Sequence, residues 1–160
     1  MNQKTLSRLL KAAIIAVGVF GLFFYCILIP SFGNYLAFSK YPEFSYMYIP
    51  WLIFLSLSAL PCYGVLVFGW LIAVNIGRDR SFSMDNAKYL KIVAVLAAVD
   101  SIYVFVGDVV LFFAGMNHPG IALMILSLEL IGIPVTIAAA ALSHLVKKAA
   151  DLQEQSDLTI

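Results

Sequence analysis

Three acidic residues, Asp100, Asp108 and Glu129, interrupt stretches that are otherwise apolar, and no lysine or arginine accompanies them there. A carboxyl group surrounded by hydrocarbon either keeps its proton or meets a cation, because an unpaired charge is costly to remove from water. These residue types therefore point to two chemistries. One is a neutral acid hydrogen-bonded to a neighbouring helix; the other is a site for a proton, a cation or a cationic ligand. Asp100 and Asp108 are eight residues apart, about 80° around a helix, and folding the chain back near Asn117 brings Glu129 to the depth of Phe105, about 4.5 Å along the axis from Asp108. This geometry permits an inward-facing patch shared by the three acids.

Catalytic patterns are poorly matched. Gly107 and Asp108 resemble the end of the G-x-G-D motif of intramembrane aspartyl proteases, but Phe105 occupies the first glycine's place. Asp100 also shares a helix with Asp108, whereas such a dyad shares a proton between two facing helices. His118 falls in a turn, and His144 falls near a membrane surface. Cys26 and Cys62 have no second ligand at metal spacing and read as small core hydrophobes. Their differing depths argue against a disulfide. The reading is non-enzymatic, with no catalytic residue, no metal and no cofactor.

The elements that must position the acids follow from composition. Of 160 residues, 62% are apolar and 12% are charged, against about 25% charged in soluble domains. Lipid is the expected solvent, and the fold class is all-α: an integral membrane four-helix bundle. The spans fall at about 12–30, 49–75, 89–115 and 120–146. They form a transmembrane domain over 1–148, followed by a polar tail, 149–160. Pro30 is expected to stop the first span, leaving an aromatic-rich loop over 31–48. Pro61 should kink the second. Ser83 is placed to cap a helix beginning at Met84. In the fourth span Ala122, Ile125, Glu129, Gly132, Thr136, Ala140 and Ser143 form a small or polar stripe, the kind of face on which membrane helices pack. It turns Glu129 into the bundle.

Lys4, Arg8, Lys11, Arg78, Arg80, Lys88, Lys91, Lys147 and Lys148 fall on one face of this arrangement and Lys40 alone on the other. Such asymmetry predicts that both termini (N-in/C-in) and the central loop are cytoplasmic in a bacterial cell (inner) membrane. Trp51, Tyr46 and Tyr48 mark the outer interface, and Trp70 approaches the inner one. The net charge of +1 gives no reason to expect direct nucleic-acid binding.

The central loop reads Gly77, Arg78, Asp79, Arg80, Ser81, Phe82, Ser83, Met84, Asp85, Asn86, then Leu90, Lys91 and Ile92, and the chain ends Leu152 to Ile160 in an acidic segment closing on Leu158, Thr159 and Ile160. Loop and tail resemble those of the bacterial membrane family catalogued as domain of unknown function 2975, whose order of four helices extends over the whole chain. Ser81 stands where many members carry proline. Members are often encoded beside a small Cro/CI-type helix-turn-helix regulator, so the resemblance implies a membrane partner for a DNA-binding protein. Arg78, Arg80, Asp85 and Asn86 of the loop and Asp157, Leu158 and Ile160 of the tail are the expected partner-binding residues. The expected function is that of a sensor or regulatory partner. The alternatives are a small proton- or cation-coupled carrier using the buried carboxyls, oligomeric with copies of itself, and an immunity-type membrane protein.

Overall fold

Within hydrocarbon every backbone donor and acceptor must be paired inside the chain, so long apolar runs become helices. In the computed structural model, which describes residues 2–157, four helices have the length and composition to cross a bilayer: α1 (Gln3–Lys40), α2 (Pro42–Gly77), α3 (Met84–Phe113) and α4 (Pro119–Asp157). No strand occurs among the described residues. The outward surface is apolar, with Phe20, Leu60, Phe113 and Leu130 more than half exposed, as suits contact with lipid.

The prolines act differently from one another. Pro30, expected to end the first span, lies inside α1, which continues to Lys40 and is about 57 Å long at 1.5 Å per residue. A wider π-helical turn, Phe24–Leu28, immediately precedes it, and such a turn relieves the clash between the proline ring and the carbonyls behind it. Most of the segment expected as an outer loop is therefore helix, completed by a second π-turn, Leu36–Lys40, and a 3₁₀ segment, Pro42–Met47. In α2 the expected kink is present. The α-helix breaks at Ser58, three residues before Pro61, and the next backbone bond, Cys62 N–H to the Ser58 carbonyl, is stretched to 3.4 Å.

Ser83 caps α3, its hydroxyl accepting from the Asn86 N–H at 3.2 Å. The faces joining α3 and α4 repeat every seven residues. Ala87, Ala94, Val104 and Asp108 are buried on α3, and Ala122, Ile125, Ala139 and Ala150 are buried on α4. This spacing keeps one seam in contact as antiparallel helices cross at a shallow angle. Ala139 therefore occupies the interior where the stripe predicted Ala140, because seven residues per two turns, rather than 3.6 per turn, governs the contact. Ser101 lies against Gly132 so closely that a Cβ there would collide with its hydroxyl.

The chain reverses at Gly115, whose φ of 70° is readily adopted only without a side chain. That turning point precedes Asn117. Glu129 consequently meets Ser101 instead of Phe105, a displacement of about 6 Å along α3 for four residues.

Each helix packs on its neighbour in sequence, α1 on α2, α2 on α3 and α3 on α4, whereas α1 and α4 share no extensive seam. The α1–α2 contact is tightest at the end bearing the central loop, where Ser7 donates to the Ala73 carbonyl at 2.6 Å. Further along, the Tyr63 hydroxyl donates to the Gly18 carbonyl at 2.8 Å. Beyond that level the row of helices opens.

Candidate functional site

The unsealed side between α1 and α4 contains a cavity of about 610 Å³ in the half of the bundle away from the central loop. Its walls are supplied by all four helices: Phe24, Leu28 and Phe32 from α1, Trp51 and Leu55 from α2, Val104 from α3, and Ile125 and Leu128 from α4. Its upper rim carries Tyr41 and His118, whose rings stack with centroids 4.0 Å apart. Phe32 and Leu128, on opposite walls, are each about half exposed, so the cavity opens between α1 and α4.

Polar side chains converge at its inner end. The break at Ser58 turns α2 so that the Ser58 hydroxyl lies 2.9 Å from the Tyr25 hydroxyl while also donating to the Leu55 carbonyl. Tyr25 reaches the Cys62 sulfur at 3.7 Å, and the Cys62 thiol donates to Asp100 Oδ2 at 3.3 Å. Asp100 Oδ1 is shielded from solvent and has no hydrogen-bond partner. Glu129, beside Ser101 at the Gly132 crossing, faces the same cavity from α4. The hydrogen-bonded network thus joins α1, α2 and α3, Glu129 of α4 faces the same chamber, and no lysine or arginine lines it. It can hold protons and can accept hydrogen bonds from a donor arriving in the cavity.

Two of the three acids are therefore brought together and the third is not. Asp108 is 1% exposed and receives a hydrogen bond from the Asn117 side chain at 2.8 Å, bracing the α3–α4 turn. It lies outside the cavity lining.

Residues expected to bind a partner are likewise divided. Asn86 is 1% exposed. Its amide donates to the carbonyls of Arg80 and Ser81, and its oxygen accepts from Asn75 at 2.9 Å. It shapes the loop and presents no free surface. Ser81 bonds Gln3 at 3.1 Å, which ties the loop to the start of α1. Arg78 is exposed, and Arg80 pairs with Asp85 at 3.3 Å on the surface. Much of the loop motif is accordingly a folded clasp. The tail is helical through Asp157, while the side chain of Asp157 and residues Leu158 and Ile160 lie outside the described residues.

The family described as "Protein of unknown function (DUF2975)" matches residues 31–160. The chain belongs to this family. A similar protein, the "Uncharacterized membrane protein YoaS" of Bacillus subtilis (strain 168), is 28% identical over 153 residues, covering 94% of this chain and 95% of that one. No solved structure matches. The family match takes in the clasp, the kink and both chamber acids, while Tyr25 precedes it.

Tyr25, Ser58, Cys62 and Ser101 were not legible as site residues in the sequence. Each is an ordinary occupant of an apolar helix when taken alone. One signal existed: Cys62 directly follows the proline that bends α2, and a bend inside a membrane helix exposes groups that the straight helix would have covered.

Proposed function

We propose that this protein is a non-enzymatic sensor or regulatory partner in a bacterial cell membrane, oriented with both termini and the central loop in the cytoplasm. The observation that carries the reading is the continuity of α4. A single helix supplies Ile125 and Glu129 to the chamber and continues into the charged tail. Pro134 lies inside α4 between Glu129 and the tail and removes one backbone hydrogen bond there, so a change in how α4 seats on α3 at the chamber would swing the tail about that point. The soluble partner is a small helix-turn-helix regulator, docking on Arg78, Arg80 and Asp85 and on the tail ending in Leu158 and Ile160. Retention of that regulator from detergent-solubilised membranes tests the reading. Deleting residues 157–160 should leave the bundle inserted and reduce retention to background. Undiminished retention refutes the tail as the docking segment.

A proton- or cation-coupled carrier is the second reading, favoured by the hydrogen-bonded groups linking Tyr25 to Asp100. It predicts acid-dependent flux in liposomes, which the sensor does not.

A further inference from the structure

We infer that the chamber between α1 and α4 is a binding site for a compact lipophilic amine, with the ammonium group seated on Asp100 and Glu129 and the apolar body held by the aromatic and aliphatic walls. The inference deepens the sensor reading by naming the chemistry of what is sensed.

Size is the first argument. A volume of about 610 Å³ falls within the range of about 300–1,000 Å³ typical of small-molecule sites, which are likewise mostly apolar with a few convergent polar groups. Charge is the second. The polar groups at the inner end include two carboxyls, and with no lysine or arginine lining the chamber the counter-charge to an ionised carboxyl has to arrive with the occupant. Asp100 lines the chamber with Oδ2 held by Cys62 and Oδ1 shielded and unpartnered, so a small shift of the side chain lets Oδ1 meet a donor in the chamber. A monovalent ammonium supplies up to three donors and one positive charge, leaving the pair neutral overall when one carboxyl keeps its proton.

Other occupants fit less well. Fatty acids and anionic lipids would set like charge against Asp100 and Glu129. A bare metal ion is disfavoured by the apolar walls, and among the described residues no group of three or more His, Cys, Asp or Glu side chains is placed to hold one. A detergent-like cation keeps its head at the membrane surface, whereas Glu129 is ten residues into α4 from Pro119, about 15 Å deep. The site therefore selects an amine whose body is lipophilic enough to carry its head inward. Trp51 and Phe24 in the walls suit such a body and add attraction to any cation crossing their faces.

The two tryptophans provide the test. Trp51 lines the chamber and Trp70 lies at the other end of the bundle, beneath the Lys11 ammonium at 5.5 Å. In a Trp70→Phe protein reconstituted in nanodiscs, Trp51 fluorescence is titrated with three nitroxide quenchers of one skeleton: 4-amino-TEMPO, 4-hydroxy-TEMPO and 4-carboxy-TEMPO. Quenching by the amine should saturate, with a midpoint at least about tenfold below that of the alcohol, the factor that about 1.4 kcal/mol of pairing supplies. The carboxylate should show only the linear quenching of free diffusion. Asp100→Asn combined with Glu129→Gln should erase the preference for the amine. Equal midpoints for amine and alcohol, or a preference that survives the double substitution, overturns the inference. The selectivity of the protein with both acids intact is decisive even if the double variant does not fold. No soluble partner is present in this assay, so failure of amine binding and failure of partner retention are separate results.

Discussion

Replacing Asn117 with alanine removes the side-chain amide that donates to Asp108 Oδ1 at 2.8 Å. The second Asp108 oxygen already lacks a partner, and the residue is 1% exposed, so in this variant neither oxygen is satisfied and water has little access. Leaving a buried polar group unpaired costs about 1–3 kcal/mol, although hydrogen bonds between membrane helices average nearer about 0.6 kcal/mol with a maximum of about 1.7. Asn117 is itself only 6% exposed and lies in the turn between α3 and α4, which places the expected loss at about 1–2 kcal/mol. For a chain of this length that is about 2–8 °C in Tm, at about 2–4 °C per kcal/mol. Asp108→Asn retains a carbonyl acceptor for Asn117, so the bond that braces the turn survives and the loss should be smaller than in Asn117→Ala. Thermal unfolding in one detergent, followed by far-ultraviolet circular dichroism, ranks the two. A double-mutant cycle with Asp108→Ala should return a coupling of about 0.5–1.5 kcal/mol. An unchanged Tm in Asn117→Ala, or a larger loss in Asp108→Asn, refutes Asp108 as a brace for the turn and returns it to the candidate ligand groups.

Two further outcomes follow from the loop and the charge pattern. Asn86→Ala deletes side-chain bonds to Asn75, Arg80 and Ser81; it should lower stability by about 2 kcal/mol and make the Arg78–Arg80 segment a protease-sensitive site in spheroplasts with opened membranes, whereas resistance equal to that of the unaltered protein contradicts the clasp. Reporter fusions at residues 80 and 160 should both register as cytoplasmic and a fusion at residue 117 as external; an external signal from residue 160 overturns the proposed orientation.

How much of this was written in the sequence depends on the range of the interactions involved. The four helices were legible because uncharged runs long enough to span a bilayer have no other way to pair their backbones. Ser83 as a cap and Pro61 as a kink are local effects, readable from a few consecutive residues. The packing face of α4 was legible as far as Thr136 and again at Ser143, whose hydroxyl donates to the Ala87 carbonyl of α3, but Ala139 displaced Ala140 because the period of a packed seam is set by two helices and not by one. Pro30 departs from local expectation for a related reason: a proline normally ends a helix, yet the π-turn before it lets α1 continue and form the chamber wall. Which acids meet was beyond any one-dimensional reading. The register of α3 against α4 depends on the reversal at Gly115 and the close fit of Ser101 to Gly132. A shift of a few residues moves a carboxyl by several ångströms and changes its neighbours. The tertiary structure alone decided that Asp100 joins Cys62 and faces the chamber with Glu129, while Asp108 turns to Asn117, because those contacts join residues 9 to 38 positions apart.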